Sequence, residues 1–329
     1  MALTDRKILT FDVVGTLVDF EAGVINFFRP IFDKAGVEPP TTWSELIEVC
    51  EELEKQGINP FYWATKDNWT GAPAFSSLSG DFLTDGVAAW YDKRREIGNG
   101  MSFKELTPVF EKMHQAYQYG NPNKAGLGYN DGNQGFAQGK GAMYWHGTYA
   151  IPAIRSYNKD INLGTFATPA DDPKDTKVVS GVDVALTMGT DPAHPEESMR
   201  FFKYLMAKAN MKAYCDEQVA YPTLTTLSAT DPALAGLQPY FDDERLATYS
   251  DHNFPQGVNL NNYMQQFLID HDIDALVIGK AHDLGDDIVL RIVDAVIKAE
   301  RLQLLQPLRA GGRGDHPRAG MFGELDRGE

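Results

Sequence analysis

The chain has 329 residues, 43% of them apolar and 11% aromatic, an ordinary globular composition with length enough for two lobes and a sizeable core. With 30 Lys and Arg against 46 Asp and Glu, the net charge is −16, which repels phosphate backbones and anionic lipid headgroups and argues against nucleic acid or membrane surfaces as partners. No apolar run approaches the roughly 20 residues of a membrane span, and Cys50 and Cys215 alone build neither a disulfide framework nor a Cys-based zinc site.

In chain order, the N-terminus lacks a charged segment, an apolar run and a small-residue cleavage site, so the chain as given carries no export signal and would be cytoplasmic. Residues 7–14, KILTFDVV, read as a short buried strand, followed by a Gly-Thr turn and an apolar helix from about Glu21 to Gly36. Pro39-Pro40 closes that unit. Thr42 with Glu45 three residues on forms a capping box, and Leu46, Ile47, Cys50 and Leu53 fall on one face of the helix it opens. INPFYWA (58–64) reads as a strand with an exposed aromatic cluster, and 73–98 as a helix in two pieces. Ser102 and Glu105 open a further capped helix, along which Leu106, Phe110, Met113 and Tyr117 recur at helical spacing.

A Gly- and Asn-rich stretch from Gly120 to Gly141 holds a brief helix around Phe136. AMYW (142–145) is strand-like, TYAIPAIRSY helix-like and INLGTFATP strand-like; a polar loop follows at 170–178. GVDVALTM (181–188) reads as a buried strand and HPEESMRFFKYLMA as an amphipathic helix with Met199, Phe202 and Met206 on one side. Short helices continue to about Asp274, then one strong helix at 286–305 and a Gly/Arg-rich tail at 309–329 with little to bury, read as disordered. Strands alternating with helices predict an α/β fold with mainly parallel sheets. The strand at Lys7–Val14 is expected to join a sheet with the one at Val182–Met188, both being short apolar runs suited to central positions.

Few groups point to chemistry. His282, Asp283, Asp286 and Asp287 could surround a divalent ion, but the helix dipole explains Asp286 and Asp287 at a helix start, and no metal is expected. Arg313-Gly314-Asp315 is an integrin-type tripeptide of little information content, and Asn68-Trp69-Thr70 is formally a glycosylation sequon. Tyr62, Trp63, Trp69, Tyr144, Trp145 and Tyr149 gather at strand ends and helix starts, where α/β folds place ligand sites. Sugars present C–H faces to aromatic rings and hydroxyls to planar polar groups, so aromatics among Asp and Asn suit a carbohydrate.

FDVVGTLVDF (11–20) resembles motif I of the haloacid dehalogenase superfamily over residues 1–30. That resemblance makes Asp12 a catalytic nucleophile forming an ester that water later hydrolyses. Val14 stands where the superfamily's phosphatases have a second Asp, which favours the dehalogenase branch; Mg would be implied only under a phosphatase reading.

A longer series resembles the extracellular solute-binding proteins (family 1) that serve sugar ABC importers. FDKAGVEPPTTWSELIEVCEELEKQGINPF (32–61), FAQGKGAMYWHGTYAIPAI (136–154), GVDVALTM, HPEESMRFFKYLM, YCDEQVAYPTL and NNYMQQFLIDHDIDA (261–275) follow the family's order across about residues 28–275. This implies periplasmic-binding-protein-like α/β lobes, carbohydrate binding rather than catalysis, no cofactor, an ABC permease as partner and a periplasmic or extracellular location. The ligand-binding residues it implies are Asn68, Trp69, Trp63, Trp145, Tyr149 and Asp183. In the family the PPTTW block lies well over a hundred residues into the chain, whereas here it begins at residue 39. The expectation is therefore a chimera, with an N-terminal lobe truncated or rebuilt around a strand–helix unit. Its expected parts are a dehalogenase-like unit at 1–38, a solute-binding region at 39–275 with 181–225 contributing to the N-terminal lobe, a helical extension at 276–308 and the tail at 309–329.

Overall fold

Two short strands, Val18–Ala22 (β1) and Val24–Phe28 (β2), follow one another across Gly23 and enter different sheets. The computed structural model describes residues 18–95, 103–184, 192–253 and 261–273. Helices α1 (Arg29–Ala35), α2 (Trp43–Lys55), α3 (Ala72–Phe82), α4 (Val87–Arg95), α5 (Thr107–Gln118) and α6 (Tyr129–Ala137) precede strand β3 (Met143–His146). Then come α7 (Ala150–Tyr157), β4 (Leu163–Phe166), β5 (Val178–Val184), α8 (Pro195–Leu205), α9 (Lys208–Gln218), β6 (Tyr221–Pro222), α10 (Gln238–Asp242), β7 (Leu246–Ala247) and α11 (Asn261–Ile273).

One sheet has four strands in the order β6-β1-β5-β7, the other three in the order β3-β2-β4. The three-stranded sheet is the centre of a helix–sheet–helix sandwich, and the strand pleat assigns each residue to a side. Ile25, Phe27, Met143, Trp145 and Phe166 face a core shared with residues of α2, α3, α5 and α11. Val24, Tyr144 and Leu163 face a second core with Phe136 of α6 and Ile151 and Ile154 of α7. Pairing puts Ile25 opposite Trp145 and Val24 opposite His146, so alternate residues of β3 look to opposite sides.

Local signals account for several elements. The Thr42 hydroxyl accepts from the Glu45 N–H at 3.2 Å and the Glu45 carboxylate accepts from the Thr42 N–H at 3.1 Å, completing the capping box of α2. Leu106, Phe110, Met113 and Tyr117 are buried along the α5 face, as their spacing predicts, although the α-helix proper begins at Thr107 after a 3-10 turn at Phe103–Leu106.

Three expectations are corrected. Residues Glu21 to Phe28 lie in β1 and β2 instead of a helix; β2 is buried along both faces of its sheet, which favours an extended apolar run over a one-sided helical stripe, and the helix waits for Pro30. The sheets of the described strands are mostly antiparallel, with only β5 and β7 paired in parallel. β2 drops between β3 and β4 directly from the neighbouring sheet, so it runs against both. The aromatics of INPFYWA are buried, held in an extended segment with a bridge at Phe61 and no strand. β2, within residues 1–38, is the middle strand of the sheet formed with β3 and β4. The Lys7–Val14 strand, the 286–305 helix, the His282–Asp287 cluster and Arg313-Gly314-Asp315 lie outside the described residues.

Candidate functional site

The site grows from the segment after Phe61. Its backbone is tied on both sides, Tyr62 N–H to the Met143 carbonyl at 2.8 Å, Thr65 N–H to Lys124 and Lys66 N–H to Leu127, each at 2.9 Å. Asp67 then turns the chain into a 3-10 turn, Asn68–Gly71, with the Thr70 hydroxyl donating to the Asp67 carbonyl at 2.7 Å. That turn presents Trp69 half-buried at the surface. The Asp67 carboxylate also accepts the Tyr129 N–H at 2.7 Å, at the first residue of α6. One carboxylate therefore fixes the helix that carries Tyr129 beside the turn that carries Trp69. An acidic oxygen there also suits the positive end of the helix dipole.

Trp69, Tyr129 and Tyr149 are each half-buried and form a platform of rings. Their centroids are 4.9 Å apart for Trp69 and Tyr129, and 6.4 Å for Tyr149 with either. His146 lies beneath, 2% exposed, 5.5 Å from the Trp69 ring, 5.2 Å from Tyr129 and 4.4 Å from Tyr144. Its Nδ1 is 3.3 Å from the Tyr149 hydroxyl. Burial pushes the His146 pKa down to about 3, so the imidazole is neutral throughout the physiological range. Burial holds the Tyr144 and Tyr129 phenols above their ordinary values, so they too stay uncharged. The Tyr144 hydroxyl donates to the Tyr129 carbonyl at 3.4 Å.

The expected site residues separate. Asn68 and Trp69 share the 3-10 turn, and Trp69 packs against Tyr149, which immediately precedes α7. Trp63 and Trp145 instead lie in the core, with ring centroids 5.9 Å apart. There the Trp145 indole donates to the Gly23 carbonyl at 2.9 Å and the Trp63 indole to the Ala116 carbonyl at 3.3 Å. Asp183 lies on β5. Asp12 lies outside the described residues. Residue type and local motif alone single out neither Tyr129 nor His146. The pleat of β3 points to His146, two residues from Tyr144 and on its face, whereas Tyr129 enters the site through Asp67, 62 residues away in the chain.

This arrangement offers aromatic faces for C–H stacking, uncharged ring hydroxyls and a nearby carboxylate. No group of three or more His, Cys, Asp or Glu among the described residues could hold a metal ion.

A family model for bacterial extracellular solute-binding proteins matches residues 8–212, a span that takes in most of the segment resembling dehalogenase motif I. The multiple sugar-binding protein of Streptococcus mutans is 28% identical over 198 residues, 58% of this chain and 47% of that protein. The sn-glycerol-3-phosphate-binding periplasmic protein UgpB of Escherichia coli is 23% identical over 279 residues, 78% of this chain and 60% of that protein. The chain thus spans about half the length of the curated relatives it matches. Among solved structures, the solute-binding protein RafE in complex with raffinose superposes with a TM-score of 0.70 at 20% identity, covering 86% of this chain and 73% of that one.

Proposed function

The chain belongs to the bacterial extracellular solute-binding proteins, and from that membership we propose that it binds a neutral carbohydrate at the Trp69, Tyr129 and Tyr149 platform. The observation that carries the proposal is the ring geometry, three half-buried aromatic faces within 6.4 Å of one another around an uncharged imidazole. A pyranose ring stacks its C–H face on such a surface and turns its hydroxyls to the polar rim. Asn68, in the same turn as Trp69, supplies an amide suited to a pair of neighbouring hydroxyls.

Relatives named for sugars and one named for sn-glycerol-3-phosphate pose a choice of ligand charge. An anionic ligand needs a cation or a cluster of N–H donors, whereas a carboxylate, Asp67, holds the Tyr129 backbone N–H and a neutral imidazole packs on the Trp69 ring. This supports the neutral class. Within that reading the ligand is handed to an ABC permease on the outer side of the cytoplasmic membrane. No helix among the described residues is long and apolar enough to cross a membrane.

Titration calorimetry with mono- and oligosaccharides, and with sn-glycerol-3-phosphate as the anionic comparison, tests the proposal. Saturable heat with at least one neutral saccharide is the expected result, lost in Trp69→Ala and Tyr149→Ala. No heat at millimolar saccharide from folded protein, or a response to the phosphate ester alone, overturns it.

A further inference from the structure

The turn that carries Trp69 is fastened from far along the chain. Gln265, on α11, points its amide Nε2 at two successive carbonyls, Thr65 at 2.8 Å and Lys66 at 2.6 Å. These two residues precede Asp67, whose carboxylate holds Tyr129. Immediately beyond Trp69 and Thr70, Gly71 packs on α11 as well, with the position of a Cβ there 3.4 Å from the Leu268 side chain and 3.8 Å from Met264. Phe267 of the same helix stacks edge-on with Phe110 of α5 at 5.2 Å, which anchors α11 to the core. The Thr65–Gly71 segment is thereby bound at both ends to one helix, with Trp69 between the two attachments.

The chemistry of the first attachment is specific. Thr65 and Lys66 already give their N–H groups to the Lys124 and Leu127 carbonyls, and their own carbonyls need donors in turn. A primary amide has two hydrogens on one nitrogen and can satisfy both at once. A carboxylate of the same shape has none, and an apolar chain of the same length has none.

We propose that Gln265 is a positioning residue for the ring platform, holding the Trp69 turn in its binding geometry through the Thr65 and Lys66 carbonyls. This rests on the carbohydrate reading of the site, and it acts by pre-organisation: a turn already in place spends no binding energy on being ordered.

The test exploits the tryptophans. Of the five, Trp43, Trp63, Trp90 and Trp145 are buried and Trp69 is half-exposed, so acrylamide quenching of the ligand-free protein reports chiefly Trp69. Gln265→Met and Gln265→Glu remove the donors without and with added charge; Gln265→Lys keeps donors on a chain long enough to bridge the carbonyls. The Trp69 signal, isolated by difference against Trp69→Phe, is expected to quench about two-fold more readily in the Met and Glu variants and to return to wild type with Lys. In a Trp69→Phe background the same variants should leave quenching of the buried tryptophans unchanged. Saccharide Kd should rise about ten-fold in the Met variant, equivalent to ~1.4 kcal/mol.

Unchanged Trp69 quenching in both donor-less variants overturns the proposal, as does an equal rise in the Trp69→Phe background, which would mean general loosening. A rise in Kd without a change in quenching also overturns it, since Gln265 would then act on the ligand directly. A quenching change in a protein that answers to no saccharide leaves the clamp standing and removes the carbohydrate reading instead.

Discussion

Replacing Trp145 by Phe separates a core tryptophan from a ligand platform. Trp145 is 2% exposed, with Trp43, Phe61 and Trp63 centroids 6.3, 5.7 and 5.9 Å away. Phe is roughly 40 Å³ smaller, and at ~24 cal/mol per Å³ of unfilled space the cavity costs about 1 kcal/mol. The buried apolar area removed contributes about 1 kcal/mol more at ~25 cal/mol per Å². The indole hydrogen bond to the Gly23 carbonyl is also lost, but that oxygen keeps the Thr168 hydroxyl as a donor, so this part sits near ~0.5–1 kcal/mol. The sum, about 2.5–3 kcal/mol, should lower the thermal midpoint by about 5–8 °C in circular dichroism melts. Saccharide Kd should change by less than about three-fold, because the ring faces away from Trp69 and Tyr149. A variant that melts like the wild type but loses saccharide affinity more than ten-fold would refute the face assignment of β3.

Gly23→Ala should cost about 3–5 kcal/mol, seen as a lower urea midpoint or loss of soluble protein, because the residue sits at φ +70 and a Cβ would lie 2.4 Å from the Pro73 carbonyl oxygen. Asp81→Asn should flatten the pH dependence of stability. Burial pushes the Asp81 carboxyl well above the usual carboxylate range, with one oxygen unpartnered and the other accepting the Lys177 N–H at 2.7 Å. The native state thus keeps a proton that the unfolded chain releases near pH ~3.9, and stability falls as pH rises from there towards the raised native value. The Asn variant gains about 1–3 kcal/mol over wild type above that window, and a wild-type-to-variant difference constant from pH 4 to 8 would contradict this. Asp67→Ala uncaps α6 and should cost about 1 kcal/mol in melts and raise saccharide Kd about ten-fold by calorimetry, with Asp67→Asn close to wild type because its amide oxygen still accepts the Tyr129 N–H.

What the sequence revealed about the fold was set by the reach of each signal. The Thr42–Glu45 box and the α5 stripe are decided within a turn or two of helix, and both stand where their residues place them. β1 and β2 resist the same reading. Their residues form a run of helical length, and what makes it two strands is Gly23 together with distant partners, such as Tyr144 for Asn26, 118 residues on, and Val182 for Asp19, 163 residues on. Strand direction is less local still. β3 and β4 could be guessed as parallel from the helix between them, but nothing near β2 announces that it inserts between the two.

The site follows the same logic at the scale of one residue. Met143-Tyr144-Trp145-His146 offers three plausible ligand groups side by side, and residue type alone favours the tryptophan. The pleat overrules type. Once Trp145 turns to the core with Ile25 opposite, Tyr144 and His146 must turn to the other face, so choosing the most aromatic residue in the strand selects the core face and not the face of the ring platform. Trp63 falls to a similar constraint, since a segment tied by Tyr62 to β3 and by Thr65 to Lys124 carries its ring inward against Trp145. Trp69 escapes because Asp67 and Gly71 bracket a turn, and a turn has no second layer to bury its side chain. A tryptophan flanked by turn-forming residues is thus the better ligand candidate than one inside a strand. By that criterion Trp69 could be ranked above Trp63 and Trp145 from the sequence alone, whereas Tyr129 could not, because what brings it to the site is a carboxylate 62 residues earlier.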